Sequence, residues 1–242
     1  MNTARGWRLA VPAGKSGNYR LSQLDDQDLM PRRAYPWRPP LTLSLRARVS
    51  SGPVPGTWGL GFWNDPYPFL GAHRKIALQL PALPQAAWFF GASPKSYLSL
   101  RDDKPANGFY AQVMRSGRVS AGLIAAGLFL PYSPTTTRRA LGRVISEDSA
   151  AIGGEASEWH DYAIRWMPER AAFLVDDRLV LESASSPRPP LGLVMWIDNQ
   201  YAAFDPRGGL RWGTEENPDE VWLEIEDVRV LRDDPRAGAV EP

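Results

Sequence analysis

Three side chains in this 242-residue chain stand where acid or base chemistry is conceivable: Asp65, Asp198 and His160. Asp65 closes "GLGFWND" (59 to 65), Asp198 follows Trp196 in "VMWIDNQYAAF" (194 to 204), and His160 opens a strand-like run just after Trp159. A carboxylic acid set among aromatic rings loses hydration of its charged form, so its pKa rises toward the range a general acid needs. His73, beside Arg74 and Lys75, has no partner in view and supports no triad.

Binding chemistry is the stronger signal. Alternation along 59 to 65 puts Leu60 and Phe62 on one side and Gly59, Gly61 and Trp63 on the other. Bare glycines beside an indole suit two uses: close approach of a ligand to the backbone, or close packing by the protein itself. In "AAWFFGAS", Trp88 and Phe90 share a face and Phe89 takes the opposite one, while Val194, Trp196, Asp198 and Gln200 share another. Trp63, Trp88, Phe90 and Trp196 are therefore the candidate walls of a site. Asn64, Asp198 and Asn199 are its candidate polar groups, with Tyr201 and Trp212 at the rim. The alternative for Asp198 and Asn199 is a capped strand end, their side chains satisfying backbone donors in a turn.

Composition removes other chemistries. The absence of cysteine rules out disulfides, thiolate metal sites and cysteine nucleophiles, and two histidines make a histidine-rich zinc centre an unpromising reading. No cofactor is expected, although a calcium ion held by backbone carbonyls and one Asp would leave no mark in the sequence. Lys plus Arg total 28 against 27 acids, which gives no electrostatic case for nucleic acid or an anionic membrane. Serine-nucleophile and phosphate-loop motifs are absent. No apolar run has the length of a signal peptide or membrane span, so a cytoplasmic location is the expectation for the chain as given; a trimmed leader would look the same.

The elements that must carry these residues are strands. "LTLSLRARV" (41 to 49) alternates Leu41, Leu43, Leu45, Ala47 and Val49 against polar residues, the period of a half-buried strand. Further runs lie at 58 to 64, 75 to 80, 86 to 91, 96 to 101, 108 to 115, 159 to 167, 171 to 175, 178 to 182, 191 to 198 and 221 to 231. Asp176-Asp177 marks a tight hairpin, and a phase change in the last run places a bulge near Glu226 and Asp227. The stretch from Thr135 to Glu158 reads as a long loop with room for a short helix near Arg138. Such spacing describes an all-β sandwich or barrel in one domain spanning 1 to 242, with strands and loops of 1 to 40 covering it and a flexible tail at 232 to 242; the choice of a two-sheet antiparallel sandwich rests on a resemblance.

Three segments then resemble a known family. "WHDYAIRWMPERAAFLVDDRLVLES" (159 to 183), "VWLEIEDVRVL" (221 to 231) and "GTWGLGFWND" (56 to 65) are similar, in order, to segments of laminarinase and lichenase type glycoside hydrolases, of the family 16 kind. The resemblance implies the concanavalin A-like jelly roll of lectins and glucanases, with a ligand groove on its concave sheet. It also implies a Glu-x-Asp-x-Glu motif soon after the Trp-rich strand, because retaining hydrolysis needs two carboxyls only about 5 Å apart. Here that region reads "LPQAAWFFGASPKSYLSL", and no carboxylate lies between Asp65 and Asp102. "LEIED" (223 to 227) is a decoy: Glu224 and Glu226 share a face roughly 7 Å apart, but the segment matches the family's closing strand.

The expectation is a non-hydrolytic protein that binds a carbohydrate or related ligand in an aromatic-lined groove. Its rival is an isomerase, cyclase or hydrolase acting on an apolar small molecule there, with Asp65, Asp198 or His160 as acid or base. A third reading, a structural or partner-binding module, requires the aromatics to be internal.

Overall fold

The computed structural model describes residues 6–27, 30–66, 80–117, 134–204 and 210–232. In chain order the strands are β1 (Gly6–Val11), β2 (Leu21–Asp25), β3 (Leu41–Val49), β4 (Thr57–Trp63), β5 (Ala86–Ala92), β6 (Gly108–Ser116) and β7 (Ile145–Ala151). Helix α1 (Pro134–Val144) leads into β7. Then follow β8 (His160–Trp166), β9 (Ala171–Val175), β10 (Arg178–Ser183), β11 (Gly192–Asp198), β12 (Gln200–Phe204), β13 (Leu210–Thr214) and β14 (Val221–Arg232).

Alternation along β3 makes it a central strand: Leu41, Leu43, Leu45, Ala47 and Val49 are buried while Thr42, Ser44, Arg46 and Arg48 are only partly so. It lies in a six-stranded antiparallel sheet of order β1-β14-β3-β8-β9-β10. The second six-stranded sheet has the order β2-β11-β4-β5-β6-β7, and β12 pairs with β13 as a separate ribbon. Both large sheets contribute to one core, where Leu43, Leu45, Ile164, Trp166, Leu223 and Ile225 of the first meet Leu60, Phe62, Phe89, Val113, Met195 and Ile197 of the second. Burial of this apolar area is what holds the two layers together. The result is an all-β, two-sheet antiparallel sandwich, one of the two architectures allowed by the spacing of the runs and the one the resemblance implied.

Local features follow the sequence closely. Asp176 and Asp177 both take positive φ (49° and 61°), the geometry of a type I′ hairpin between β9 and β10. The register of β14 against β3 slips between Glu226 and Arg229, with Asp227 at φ 53°, at the predicted bulge. Glu224 is ion-paired with Arg8 at 3.2 Å and Arg48 at 2.8 Å in the first sheet, so "LEIED" is a charged outer strand face.

Two predictions fail. Residues 145–151 form the edge strand β7 rather than a loop, because its buried positions, Glu147 and Ser149, are polar and lie on the face away from the interlayer core. Residues 96–101 form no strand; Tyr97 makes only an isolated bridge to Ala203. Within the N-terminal 40 residues, β1 and β2 are edge strands of the two sheets. Most of the predicted run 75 to 80, together with His73 and the tail beyond 232, lies outside the described residues. Among the described residues no helix is long and apolar enough to cross a membrane.

Candidate ligand-binding face

Residues directly opposite one another in an antiparallel pair project to the same side. Register therefore assembles the face of the second sheet that points away from the core. One row across it is Trp196, Gly59, Phe90 and Tyr110, and the next is Val194, Gly61, Trp88, Gln112 and Ser149. Trp63 stands in a third row beside Ala86 and Met114. The intervening Leu60, Phe62, Phe89 and Ile197 belong to the interlayer core, so the four aromatic candidates are on the far side of the sheet from it.

These rings form one cluster. Trp63 stacks on Trp196 with centroids 6.4 Å apart and planes 13° from parallel, and Trp88 contacts both, at 5.8 Å from Trp63 and 5.4 Å from Trp196. Phe90 links Trp196 at 5.3 Å to Tyr110 at 5.6 Å. Trp88, Phe90 and Trp196 are each only 8% exposed and Tyr110 is fully buried, whereas Trp63 is half-buried. The glycines of β4 make this packing possible. A Cβ on Gly59 would fall 2.4 Å from Cη2 of Trp196, and one on Gly61 would fall 2.4 Å from the Ala87 carbonyl oxygen and 2.7 Å from Cβ of Trp88. Gly59 accommodates the protein's own indole, and Gly61 accommodates the close approach of β5 at Ala87 and Trp88.

The polar atoms of the cluster divide into two sets. Trp88 Nε1 donates to Gln112 Oε1 at 2.8 Å, Gln112 Nε2 donates to Glu147 Oε1 at 3.1 Å, and Glu147 Oε2 accepts the Leu100 amide at 2.8 Å. Trp196 Nε1 donates to the Thr57 hydroxyl at 3.0 Å. Trp63 Nε1 and the Tyr110 hydroxyl, by contrast, are buried with no hydrogen-bond partner among the described residues. A buried donor without an acceptor carries its full desolvation cost, about 1–3 kcal/mol.

Asp198 ends β11 and is 6% exposed. Its Oδ1 accepts from the Thr57 amide at 3.1 Å, the Thr57 hydroxyl at 3.0 Å and the Gln200 amide at 3.0 Å, while Oδ2 faces the Tyr19 hydroxyl at 3.4 Å. Burial pushes its pKa up to about 6 against the opposing pull of these donors. Burial, and then the nearby Asp198 charge, raise Tyr19 in turn. The Gln200 and Thr57 bonds are the strand-end capping that the sequence allowed as an alternative.

Other candidates have structural duties. Asn64 donates to the Leu83 carbonyl at 2.9 Å and accepts the Gln85 amide at 2.9 Å; Asn199, fully buried, binds the Arg20 amide and the Asn18 and Glu215 carbonyls. Both Asn199 amide protons are taken, and Asn64 is held at both its amide oxygen and its amide nitrogen by the 83–85 segment. His160 is on β8 of the other sheet, where Nδ1 lies 2.7 Å from Asp176 and Nε2 3.3 Å from the Glu155 carbonyl, so its catalytic candidacy fails on position. Asp65 is a turn residue at φ 43°, just past β4, whose carbonyl accepts from Arg32 at 2.6 and 3.1 Å. Tyr201 and Trp212 belong to the β12–β13 ribbon, where Tyr201 lies over Gly213 and Trp212 is 67% exposed.

Tyr19, Thr57, Tyr110, Gln112 and Glu147 join the site without having been singled out in the sequence. Thr57 shares the phase of Gly59, Gly61 and Trp63, and Tyr110 that of Gln112, so alternation could have found these three. Nothing local marks Tyr19 or Glu147. Among the described residues no three of His, Asp or Glu gather where they could hold a metal ion.

No protein-family model matches the chain, and no curated protein matches it. Among solved structures, it is similar to a legume lectin-like domain from Entamoeba histolytica (8% identity, 97% of this chain and 87% of that one, TM-score 0.47). It is also similar to a Bacillus licheniformis beta-glucanase (12% identity, 93% and 78%, TM-score 0.43). A third is the laminarinase catalytic domain from Thermotoga maritima MSB8 (9% identity, 96% and 82%, TM-score 0.42).

Proposed function

We propose that this chain is a non-hydrolytic binding protein that takes a carbohydrate or related ring-bearing ligand on the aromatic face of its second sheet. The observation that carries the reading is the half-buried Trp63, whose N–H lacks an acceptor among the described residues although its ring stacks within a cluster of indoles. Indole faces match the C–H faces of sugars and other flat, partly apolar rings, and an unpartnered donor beside them supplies orientation.

Carboxylate spacing favours binding over glycoside hydrolysis. Three carboxylates share this face by register: Asp25 on β2 is one strand over and four residues along from Asp198 on β11, about 14 Å, and Glu147 on β7 is four strand spacings from Asp198, about 19 Å across the sheet before the offset along the strands is added. Retaining and inverting mechanisms need separations of about 5 Å and about 6.5–9.5 Å respectively.

The test is a thermal-shift screen with oligosaccharides and with apolar metabolites, followed by titration of any hit against Trp63→Phe, which keeps a ring and removes the N–H donor. A ligand that binds the folded state raises the melting temperature; Trp63→Phe is expected to weaken it about fivefold, one neutral hydrogen bond. Absence of any hit in both panels, or a hit indifferent to Trp63→Phe, overturns the proposal.

One observation supports a second reading. Asp198 combines deep burial with a pKa near 6 and lies two residues from Trp196, the setting of a general acid for an apolar substrate. Turnover of a hit from the apolar panel, lost in Asp198→Asn, would favour it.

A further inference from the structure

We infer that the cavity where α1 runs into β7 is a binding site for an oxyanion carried on a small molecule of about sugar size. It is an open depression of about 410 Å³, within the range of small-ligand sites, and shares with the aromatic face the one residue Glu147. Four arginines line it, Arg101, Arg115, Arg143 and Arg188, against the single acid Glu147. The whole chain is nearly balanced at 28 cations to 27 acids, so this concentration is local.

The charge there is also unspent. Arg101 forms a two-pronged pair with Asp103, both contacts at 2.8 Å. The guanidinium groups of Arg115, Arg143 and Arg188 have no hydrogen-bond or ion-pair partner among the described residues. Nor does Glu147 quench them by contact, since its two oxygens are taken by Gln112 and the Leu100 amide. A guanidinium offers five N–H donors in a planar fork and no acceptor, so an anionic oxygen donor set is its natural complement.

The walls are pre-formed. The Arg188 amide donates to Gln85 Oε1 at 2.9 Å, Gln85 Nε2 donates to the Ser116 carbonyl at 3.0 Å, and the Gly117 amide bonds the Val144 carbonyl at 2.8 Å. These bonds tie β6, the end of α1 and the segment before β11 to one another. Long side chains then project from a fixed frame, which lowers the ordering cost of binding.

Isothermal titration calorimetry at low salt tests the site, with glucose 6-phosphate, glucose 6-sulfate, glucuronate, neutral glucose and inorganic phosphate as probes. The charged sugars are expected to bind, with affinity falling as salt rises, and glucose to give no heat that Arg143→Gln removes. Arg143→Gln and Arg188→Gln should each weaken binding about tenfold or more, and Arg101→Gln, whose charge is already paired, should weaken it less. Unliganded melting temperatures identify any variant that fails to fold, and the exposed Arg143 alone then carries the test. Glucose binding that Arg143→Gln weakens as much as it weakens the charged sugars, no binding of any anion, or full binding of the anions by Arg143→Gln would overturn the assignment. Inorganic phosphate binding as tightly as the sugar ester would overturn the sugar-sized ligand. Trp63→Phe should leave these affinities unchanged, which separates this site from the aromatic face.

Discussion

The Trp196 indole nitrogen donates to the Thr57 hydroxyl at 3.0 Å, and that hydroxyl donates in turn to Asp198 Oδ1 at 3.0 Å. One oxygen on β4 thus satisfies a buried donor from the aromatic cluster and a buried acceptor at the end of β11. Thr57→Val keeps the shape, strands the Trp196 donor and leaves Asp198 Oδ1 with only the Thr57 and Gln200 amides. Unsatisfied buried polar atoms cost about 1–3 kcal/mol each, so the variant should lose about 2 kcal/mol or more in urea unfolding, whereas Thr57→Ser stays within about 1 kcal/mol. Equal stability of the valine variant and wild type would mean that the relay contributes nothing.

Asp198 gives a pH signature with a definite sign. Its carboxyl is raised by burial from 3.8 to about 6. Between those values the folded state holds a proton that the unfolded state has released, so this group's contribution to stability falls as pH rises through the window. At about 1.4 kcal/mol per unit, the loss is about 3 kcal/mol by neutral pH. Asp198→Asn still accepts from Thr57 and Gln200 but cannot ionise. Its stability relative to wild type should therefore improve by about 3 kcal/mol between pH 3.5 and pH 7, measured by urea unfolding at intervals. Asp26, also raised by burial, is present in both proteins and cancels in the difference.

The glycines of β4 are predicted to be intolerant of a single methyl. Gly59→Ala would drive Cβ to 2.4 Å from the Trp196 ring and 2.7 Å from the Phe89 carbonyl, and Gly61→Ala meets backbone at 2.4 Å with φ at 149°. Each should cost more than about 2 kcal/mol, as overpacking at a strained backbone does. Gly153, with nothing within 4 Å of a Cβ, is the control; Gly153→Ala should change stability by less than about 0.5 kcal/mol. Thermal melts of the three variants rank them.

Period-two alternation made β3 legible, and the Asp176-Asp177 pair and the phase change at Asp227 located a hairpin and a bulge. Alternation also assigned Trp63, Trp88, Phe90 and Trp196 to faces that register then brought together. It could not say what covers a glycine, because Trp196 and Gly59 meet through pairing of strands far apart in the chain. β7 was hidden for a related reason: Glu147 is buried only because Gln112 and the Leu100 amide satisfy it, and neither is local to it. Asp198 stood out as a polar residue beside an indole, but its partner Tyr19 is 179 positions away. His160 misled because its type suggests chemistry, whereas its place on the first sheet commits it to the hairpin's Asp176.

Tyr110 sets stability against binding at one atom. Its hydroxyl is buried beside Phe90 without a partner among the described residues, and burial and the neighbouring Glu147 charge raise its pKa, so it remains a neutral donor. Tyr110→Phe removes that unsatisfied group while retaining the ring, and the unliganded protein should gain about 1 kcal/mol in urea unfolding. If the hydroxyl serves the ligand of the aromatic face, the same variant should bind that ligand about fivefold more weakly, as one lost neutral hydrogen bond implies. Natural sequences keep destabilising polar groups chiefly where function uses them. A gain in stability with undiminished affinity would therefore place the ligand away from Tyr110 and confine it to the half-buried edge at Trp63.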